Sequence, residues 1–172
     1  MSSVEEELHE HAEHAKHPFD KKVAATMAAV AAALAIVAVM GHLATTEELL
    51  NQQKASDQWA FYQAKNIRRY ESEIARDIML AMKGDKADAY AKNAARYDKE
   101  TKEIQTEAKA LEDESHLAGR KALRFHFGEI FLEIAIVLAS LAILTKREMI
   151  WVAALIGALT GITIAASMLL VK

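Results

Sequence analysis

Residues 23–43 read VAATMAAVAAALAIVAVMGHL, and this stretch decides the fold. It runs for 21 residues without an Asp, Glu, Lys or Arg. A helix rises about 1.5 Å per residue, so the stretch is long enough to cross the roughly 30 Å hydrocarbon core of a bilayer. The alternative is a cleaved signal peptide, but the run is longer than a typical signal core and follows a long acidic tail. We therefore predict a first transmembrane helix over 23–43.

Two more apolar stretches lie near the C-terminus. Residues 149–171 contain no charged side chain and carry Trp151 near their start, as expected of an aromatic residue at a membrane interface. Residues 128–145 are less regular because two glutamates fall within them. The few residues between the two stretches leave room only for a tight turn. The sequence predicts second and third transmembrane helices over 128–145 and 149–171.

Basic residues determine the predicted orientation. Lys21 and Lys22 precede the first span, and Lys146 and Arg147 lie in the short turn on the same side of the membrane. Short cytoplasmic segments of membrane proteins are enriched in Lys and Arg. We therefore expect a multi-pass protein with a cytoplasmic N-terminus.

The middle region, residues 44–127, is rich in charge and has one turn signal, Lys83-Gly84-Asp85. Two arms of nearly equal length flank this turn, which we place near 83–86. Such arms return to the same face of the membrane when they pack side by side. The predicted fold class is all-α, a membrane protein with three transmembrane helices and a long extramembrane antiparallel helical hairpin that resembles a coiled coil.

Small or apolar residues recur in steps of three and four along the returning arm, which is the heptad pattern of a packing seam. Its members are Ala87, Tyr90, Ala94, Tyr97, Thr101, Ile104, Ala108, Leu111, Ser115, Ala118, Ala122 and Phe125. The outgoing arm has a weaker stripe at the same spacing, interrupted by Glu71. Its members are Ala60, Ala64, Ile67, Ile74, Ile78 and Ala81. We predict that these two faces pack against each other.

Composition excludes several function classes. The chain has 172 residues, a net charge of −3 and no cysteine. An acidic balance argues against nucleic-acid binding, and the lack of cysteine excludes disulfides, thiolate catalysis and cysteine-ligated zinc. The sequence has no phosphate-binding loop, nucleophile elbow or H-E-x-x-H helix. We expect no enzyme, no catalytic residue and no cofactor other than a divalent metal at the site described next.

A histidine-rich tail, residues 1–22, precedes the first span. Its His9, His11, His14 and His17 alternate with glutamates, and imidazole together with carboxylate is a ligand set for zinc, nickel or copper. A solvated tail without one fixed geometry is the alternative. The four histidines are the candidate metal ligands.

Four ionisable residues lie at or within the predicted spans: His42, His126, Glu129 and Glu133. Spacings of three and four place the last three on one side of a helix. Charge at membrane depth is costly unless it is paired, hydrated or functional. We consider a proton or metal site between two helices, with an interfacial cap paired to Arg124 as the alternative.

Aromatic and basic residues cluster early in the outgoing arm. Trp59, Phe61, Tyr62, Arg68 and Arg69 are the residue types that dominate protein-binding hot spots. They spread around the helix, so they cannot all face one seam. The cluster is a candidate partner-binding surface, and packing inside the hairpin is the alternative.

The third span has small residues every four positions, at Ala153, Gly157, Gly161 and Ala165. Small residues at this spacing let two helices approach closely. The stripe is a helix-packing face, used either within one protomer or between protomers.

Several stretches resemble a known family. They are 57–68 (DQWAFYQAKNIR), the preceding Gly41-His42, the tail leading to Pro18-Phe19, and 134–140 (IAIVLAS). Together they resemble the bacterial membrane-protein family catalogued as a domain of unknown function, DUF4337. The resemblance covers nearly the whole chain and implies a bacterial inner-membrane location. It implies no activity.

We expect a non-enzymatic membrane assembly or scaffold protein, embedded in the lipid bilayer and binding no nucleic acid. It would form a homo-oligomer or bind a protein partner through its hairpin. The alternative is an oligomer with a proton-linked or divalent-metal-linked role in transport or sensing.

Overall fold

The computed structural model describes residues 18–170, which form three α-helices and one short 3₁₀ helix. Helix α1 spans Pro18–Ala81, α2 spans Ala87–Thr145 and α3 spans Glu148–Ala166. The 3₁₀ helix spans Ser167–Leu170 and follows α3 directly. Residues 18–170 contain no strand, so the predicted all-helical class is confirmed.

Helix α1 continues without a break from the apolar stretch into the outgoing arm, a question that the sequence leaves open. Pro18 stands at its first position, where the missing N–H and the fixed φ angle of proline are tolerated. Gly41 is the one glycine within α1. A Cβ at Gly41 would lie 3.3 Å from the Cβ of Phe125 on α2, so the glycine permits a close helix contact.

Each of the three helices contains a stretch that is long and apolar enough to cross a membrane, by length and composition. These stretches make the chain compatible with a membrane protein. In α3 the α-helix ends at Ala166 and the 3₁₀ turn replaces the last part of the predicted span.

The chain divides into two compact units. The first comprises Met1–Ala44 and Arg120–Lys172, and the second comprises Thr45–Gly119.

Small residues form much of the core of the first unit. The buried face of α3 consists of Ala154, Ala158, Gly161 and Ala165. On α2 the fully or almost fully buried residues are Leu132, Ala135, Ala139 and Ala142. Lipid tails are as apolar as leucine, so helices in a membrane gain stability from close packing, which small residues permit.

Phe19 and Trp151 mark a second cluster of the first unit, around buried Val23. The two rings meet edge to face with centroids 6.2 Å apart. The indole Nε1 of Trp151 donates a 3.3 Å hydrogen bond to Thr26 Oγ1. Nearby, Lys146 pairs with the carboxylate of Asp20. These contacts join the starts of α1 and α3 and the end of α2.

In the second unit, the predicted seam positions of the returning arm are buried, as a packing face requires. Every predicted position from Ala87 to Ala118 is buried or half-buried. Ala108 is fully buried, and Thr101 and Ser115 are buried polar members. The hydroxyl groups of the polar members donate hydrogen bonds to backbone carbonyls. Ser115 Oγ, for example, donates to the carbonyl of Glu48 at 3.0 Å.

The predicted seam of the outgoing arm is wrong. Ile67, Ile74 and Ile78 are 59%, 60% and 50% exposed, and the three alanines of that stripe are exposed too. The buried residues of this arm are instead Asn51, Ala55 and Ser72, joined by Lys65 and Arg69, which form ion pairs with α2. This polar face lies about half a helical turn from the apolar stripe. Ion pairs and alanine contacts therefore take the place that we assigned to isoleucine packing.

The turn between α1 and α2 closes α1 in the Schellman pattern. Gly84 N–H donates to the carbonyl of Met79 at 2.8 Å, and Lys83 N–H donates to that of Leu80 at 3.2 Å. The left-handed position of this pattern is occupied by Lys83, whose φ is 53°. Gly84, the expected left-handed residue, follows it and has no positive φ.

Candidate functional site

Two ion pairs join α1 to α2 within the second unit. Lys65 Nζ lies 2.6 Å from Glu100 Oε2, and Arg69 Nη1 lies 2.9 Å from Asp98 Oδ1. Lys102, one turn along α2, also contacts Asp98, at 2.6 Å. Five charged side chains therefore form two ion-paired groups between the helices, Lys65 with Glu100 and Asp98 with both Arg69 and Lys102.

These contacts shift the pKa values of the groups involved. Hydrogen bonds from Lys102 and then Arg69 hold the pKa of Asp98 below its usual value, and a hydrogen bond from Lys65 does the same for the pKa of Glu100. The hydrogen bond to Asp98 raises the pKa of Arg69. All three shifts favour the charged forms, so Asp98, Glu100 and Arg69 stay ionised at neutral pH.

The aromatic cluster is divided between the interior and the surface. Trp59 Nε1 donates a 2.9 Å hydrogen bond to Glu112 on α2, and its ring meets that of Tyr62 edge to face at 5.5 Å. Lys65 Nζ stands over the ring of Phe61 at 5.2 Å, and Phe61 remains about half exposed. Trp59 and Tyr62 are therefore held within their own chain.

The basic members of that cluster differ in the same way. Arg69 is partly buried by its ion pair with Asp98 and also stacks on Tyr70, 4.6 Å from the ring centre. Arg68 is exposed, and the nearby guanidinium groups of Arg96 and then Arg68 lower the pKa of the Tyr97 phenol. Of the predicted partner-binding residues, Phe61 and Arg68 are the ones the structure leaves exposed.

A groove of about 480 Å³ runs between the arms beside Trp59. Its polar lining includes Glu48, Glu112, Ser115 and His116. Sequence reasoning missed this groove because its residues come from two separate arms and share no motif. Within residues 18–170 no three His, Cys, Asp or Glu side chains are placed together to hold a metal ion.

The outer stripe of α1 is a regular apolar surface of the second unit. We define the α1 outer stripe as Ala60, Ala64, Ile67, Glu71, Ile74, Ile78 and Ala81, all of which are exposed. Across residues 45–119, every exposed large hydrophobic side chain belongs to α1 or the turn after it. The part of α2 in this unit has none. An apolar surface on one helix alone is the most prominent feature of the unit.

A protein-family model matches almost the entire chain. The family model described as a domain of unknown function, DUF4337, matches residues 19–171. The chain belongs to the DUF4337 family. No curated protein and no solved structure gives a significant match. The family resemblance predicted from residues 57–68 and the other quoted stretches is confirmed. Membership of this family assigns no function to the chain.

The DUF4337 chain brings together two of its four ionisable residues in the candidate spans. His126 Nδ1 and Glu129 Oε2 lie 3.4 Å apart on successive turns of α2. Glu133 and His42 are exposed. A Cβ at Gly41 would lie 3.7 Å from His126 Cε1, so the imidazole lies beside the residue that precedes His42.

The small residues of α3 divide between two faces. Gly161 and Ala165 are buried, Gly157 is half-buried and Ala153 is exposed. The buried face runs through Ala154 and Ala158 instead, in steps of four and three rather than four alone. In the DUF4337 chain this face packs within the protomer.

The candidate metal ligands His9, His11, His14 and His17 lie outside the described residues.

Proposed function

We propose that this chain is an integral membrane assembly protein without catalytic activity, which forms an oligomer or binds a protein partner through its helical hairpin. The observation that carries the proposal is the α1 outer stripe. A large contiguous apolar surface outside a membrane marks an interaction site. The stripe lies outside the three stretches of candidate membrane-spanning sequence, so lipid is not its natural cover.

We interpret residues 44–127 as an antiparallel hairpin that resembles a coiled coil. The contacts of the second unit support this interpretation. Trp59 pairs with Glu112, Lys65 with Glu100 and Arg69 with Asp98, so the number on α2 falls as that on α1 rises. The heptad seam of α2 supports it too. A rigid two-helix arm is a suitable element for presenting a binding face.

The location belongs to the same proposal. Three candidate spans, together with the bacterial inner-membrane location that the sequence resemblance implies, favour the inner membrane. The basic residues around the first span and in the turn after α2 favour a cytoplasmic N-terminus. This orientation places the hairpin on the opposite side of the membrane from the tail.

One observation favours a second candidate function, a proton-linked or divalent-metal-linked role in transport or sensing. His126 and Glu129 are in contact in the first unit, and paired ionisable residues in candidate membrane spans often mark proton or ion pathways. The tail histidines would supply the metal ligands. Replacing Glu129 with Gln and measuring the pH response of the reconstituted protein tests this role, because a response unchanged from that of the native chain contradicts it; Glu133→Gln, at an exposed position of the same helix, is the control.

Native mass spectrometry of the protein extracted gently from its own membranes tests the main proposal. We expect a homo-oligomer or a stoichiometric complex with another protein, without bound metal. A bare monomer would contradict the proposal. A stoichiometric metal ion that disappears when the four tail histidines are replaced would favour the second function.

A further inference from the structure

We propose that the α1 outer stripe is the contact surface for a second copy of this chain, and that two α1 helices pair there in parallel and in register. The inference rests on the proposed function and names the partner that the apolar surface binds. It assigns the stripe to contact between protomers instead of to the intramolecular seam.

The spacing of the stripe is that of a two-stranded coiled coil. Its seven members follow one another in steps of four and three over three heptads, from Ala60 to Ala81. The isoleucines at its centre are half exposed or more. Heptad spacing on a continuous helix indicates a helical partner with the same period.

The surface opposite this stripe in the same protomer is already occupied. Lys65 and Arg69 face α2 and are engaged with Glu100 and Asp98. A second helix can therefore pack on the stripe without displacing α2. The fold leaves α1 with two usable faces, one polar and one apolar.

A second copy is the occupant that the charge distribution favours. The outer side of α2 in this unit presents charged side chains such as Lys99, Lys102 and Glu103, which are largely exposed. Packing the stripe of one copy on that side of another would remove these charges from water, which is unfavourable. The stripe of another α1 is the apolar heptad surface available in the unit, and pairing it with itself gives a closed two-fold dimer.

The direction of pairing follows from the continuity of α1. One uninterrupted helix carries both a candidate membrane span and the stripe. Two copies inserted in one membrane with the same orientation have α1 helices that run the same way. Each stripe residue then meets its own equivalent, Ile67 with Ile67 and Ile74 with Ile74 of the second copy.

Glu71 has a defined role in this arrangement. A single polar residue in an apolar heptad seam lowers stability and specifies register and oligomeric state. In a parallel pair the two Glu71 carboxylates meet, and the exposed Arg68 one turn earlier is close enough along the helix to offset their charge. Replacing Glu71 with Leu therefore strengthens the pairing.

Cysteine cross-linking in the full-length protein in native membranes tests the proposal. The chain has no cysteine, so Ile67→Cys, Ile74→Cys and Ile78→Cys each introduce a single thiol. A disulfide needs Cα atoms within about 7 Å, which equivalent stripe positions meet in a parallel pair. Leu80→Cys is the matched control, because Leu80 is 60% exposed like Ile74 but lies on another face of α1.

We expect disulfide-linked dimers at all three stripe positions on mild oxidation and few at the control. Dimers at only one stripe position would indicate antiparallel pairing and overturn the parallel arrangement. No dimers, or as many at Leu80 as at the stripe, would overturn the proposed surface. Native mass spectrometry could show a homo-oligomer or a complex with another protein while the stripe positions give no cross-links. That result would overturn this inference and leave the proposed function standing.

A loss and a gain variant provide a second, independent measurement. Ile74→Asp is expected to weaken dimerisation about tenfold or more, since a charge enters the seam. Glu71→Leu is expected to strengthen it by about tenfold. Leu80→Asp should leave it unchanged. Circular dichroism of each variant shows whether helix content is retained, and equal dimerisation of all three variants would overturn the proposal.

Discussion

Gly128 on α2 and Gly161 on α3 pack backbone against backbone. A Cβ at Gly161 would lie 2.7 Å from the carbonyl oxygen of Gly128, and a Cβ at Gly128 would lie 2.9 Å from the carbonyl oxygen of Gly161. Neither oxygen can move aside as the end of a flexible side chain can. Each glycine is therefore required by the other, and the pair lets the two backbones pack directly against each other.

Gly161→Ala is expected to destabilise the first unit by about 1–3 kcal/mol, the usual effect of overpacking. Gly157→Ala is the matched control on the same helix. A Cβ there would meet its nearest atom, the Cβ of Ala135, at 3.7 Å, which is ordinary contact. The stability of both variants is measured by unfolding them from a mild detergent with increasing amounts of a denaturing detergent. Equal stability of the two variants would contradict the close approach.

Leu132→Ala is expected to cost about 2 kcal/mol. Leu132 is fully buried and packs under Gly161, so truncation leaves a cavity. In the membrane location that we propose, lipid tails are as apolar as leucine, so lost packing contributes and lost transfer from water does not, which puts the cost at the lower end of the usual range. Val137→Ala, 67% exposed on the same helix, is the control and should change the detergent midpoint little.

Lys83→Gly is expected to stabilise the second unit. Lys83 adopts a left-handed conformation at the end of α1, which costs a residue with a Cβ about 1 kcal/mol and glycine nothing comparable. The greater freedom of glycine in the unfolded chain offsets part of the gain. We expect a net increase of roughly 0.5 kcal/mol, read as a higher thermal midpoint by circular dichroism. A lower midpoint would show that the side chain of Lys83 contributes more than its backbone costs.

The ion pairs between α1 and α2 predict a loss of stability in acid. The pKa values of Asp98 and Glu100 are held below their usual 3.8 and 4.5 by Lys102, Arg69 and Lys65. Because the folded pKa values are the lower ones, the unfolded chain takes up protons first as the pH falls. The stabilisation is complete above the usual values and disappears as the pH falls through and below them.

Thermal unfolding at about pH 6 and about pH 4 measures this effect. The double variant Lys65→Met with Glu100→Gln is expected to lose part of the acid sensitivity of the native chain. Lys99→Met is the control, because Lys99 pairs along α2 with Glu103 at 3.9 Å and does not reach α1. An identical acid response in the native chain and the double variant would show that the pair between helices contributes nothing.

The candidate site was only partly predictable from the sequence. The heptad seam of α2 was predictable because each of its positions is small or apolar, so one pattern determines one face. On α1 the same rule led to the wrong face, because its strongest apolar pattern does not face α2. Glu71 in the middle of that pattern was the available signal, since a glutamate is seldom buried in an intramolecular seam without a partner.

The sequence by itself determined that the chain is helical, where the apolar stretches lie, and where the two long helices are separated. These properties are local, because length, charge and turn residues act within a few residues of one another. Tertiary structure alone decided which face of α1 meets α2, and that Gly161 rather than Gly157 meets Gly128. Those choices depend on which side chains of distant segments pair and fit in space, and periodicity along one helix does not contain that information.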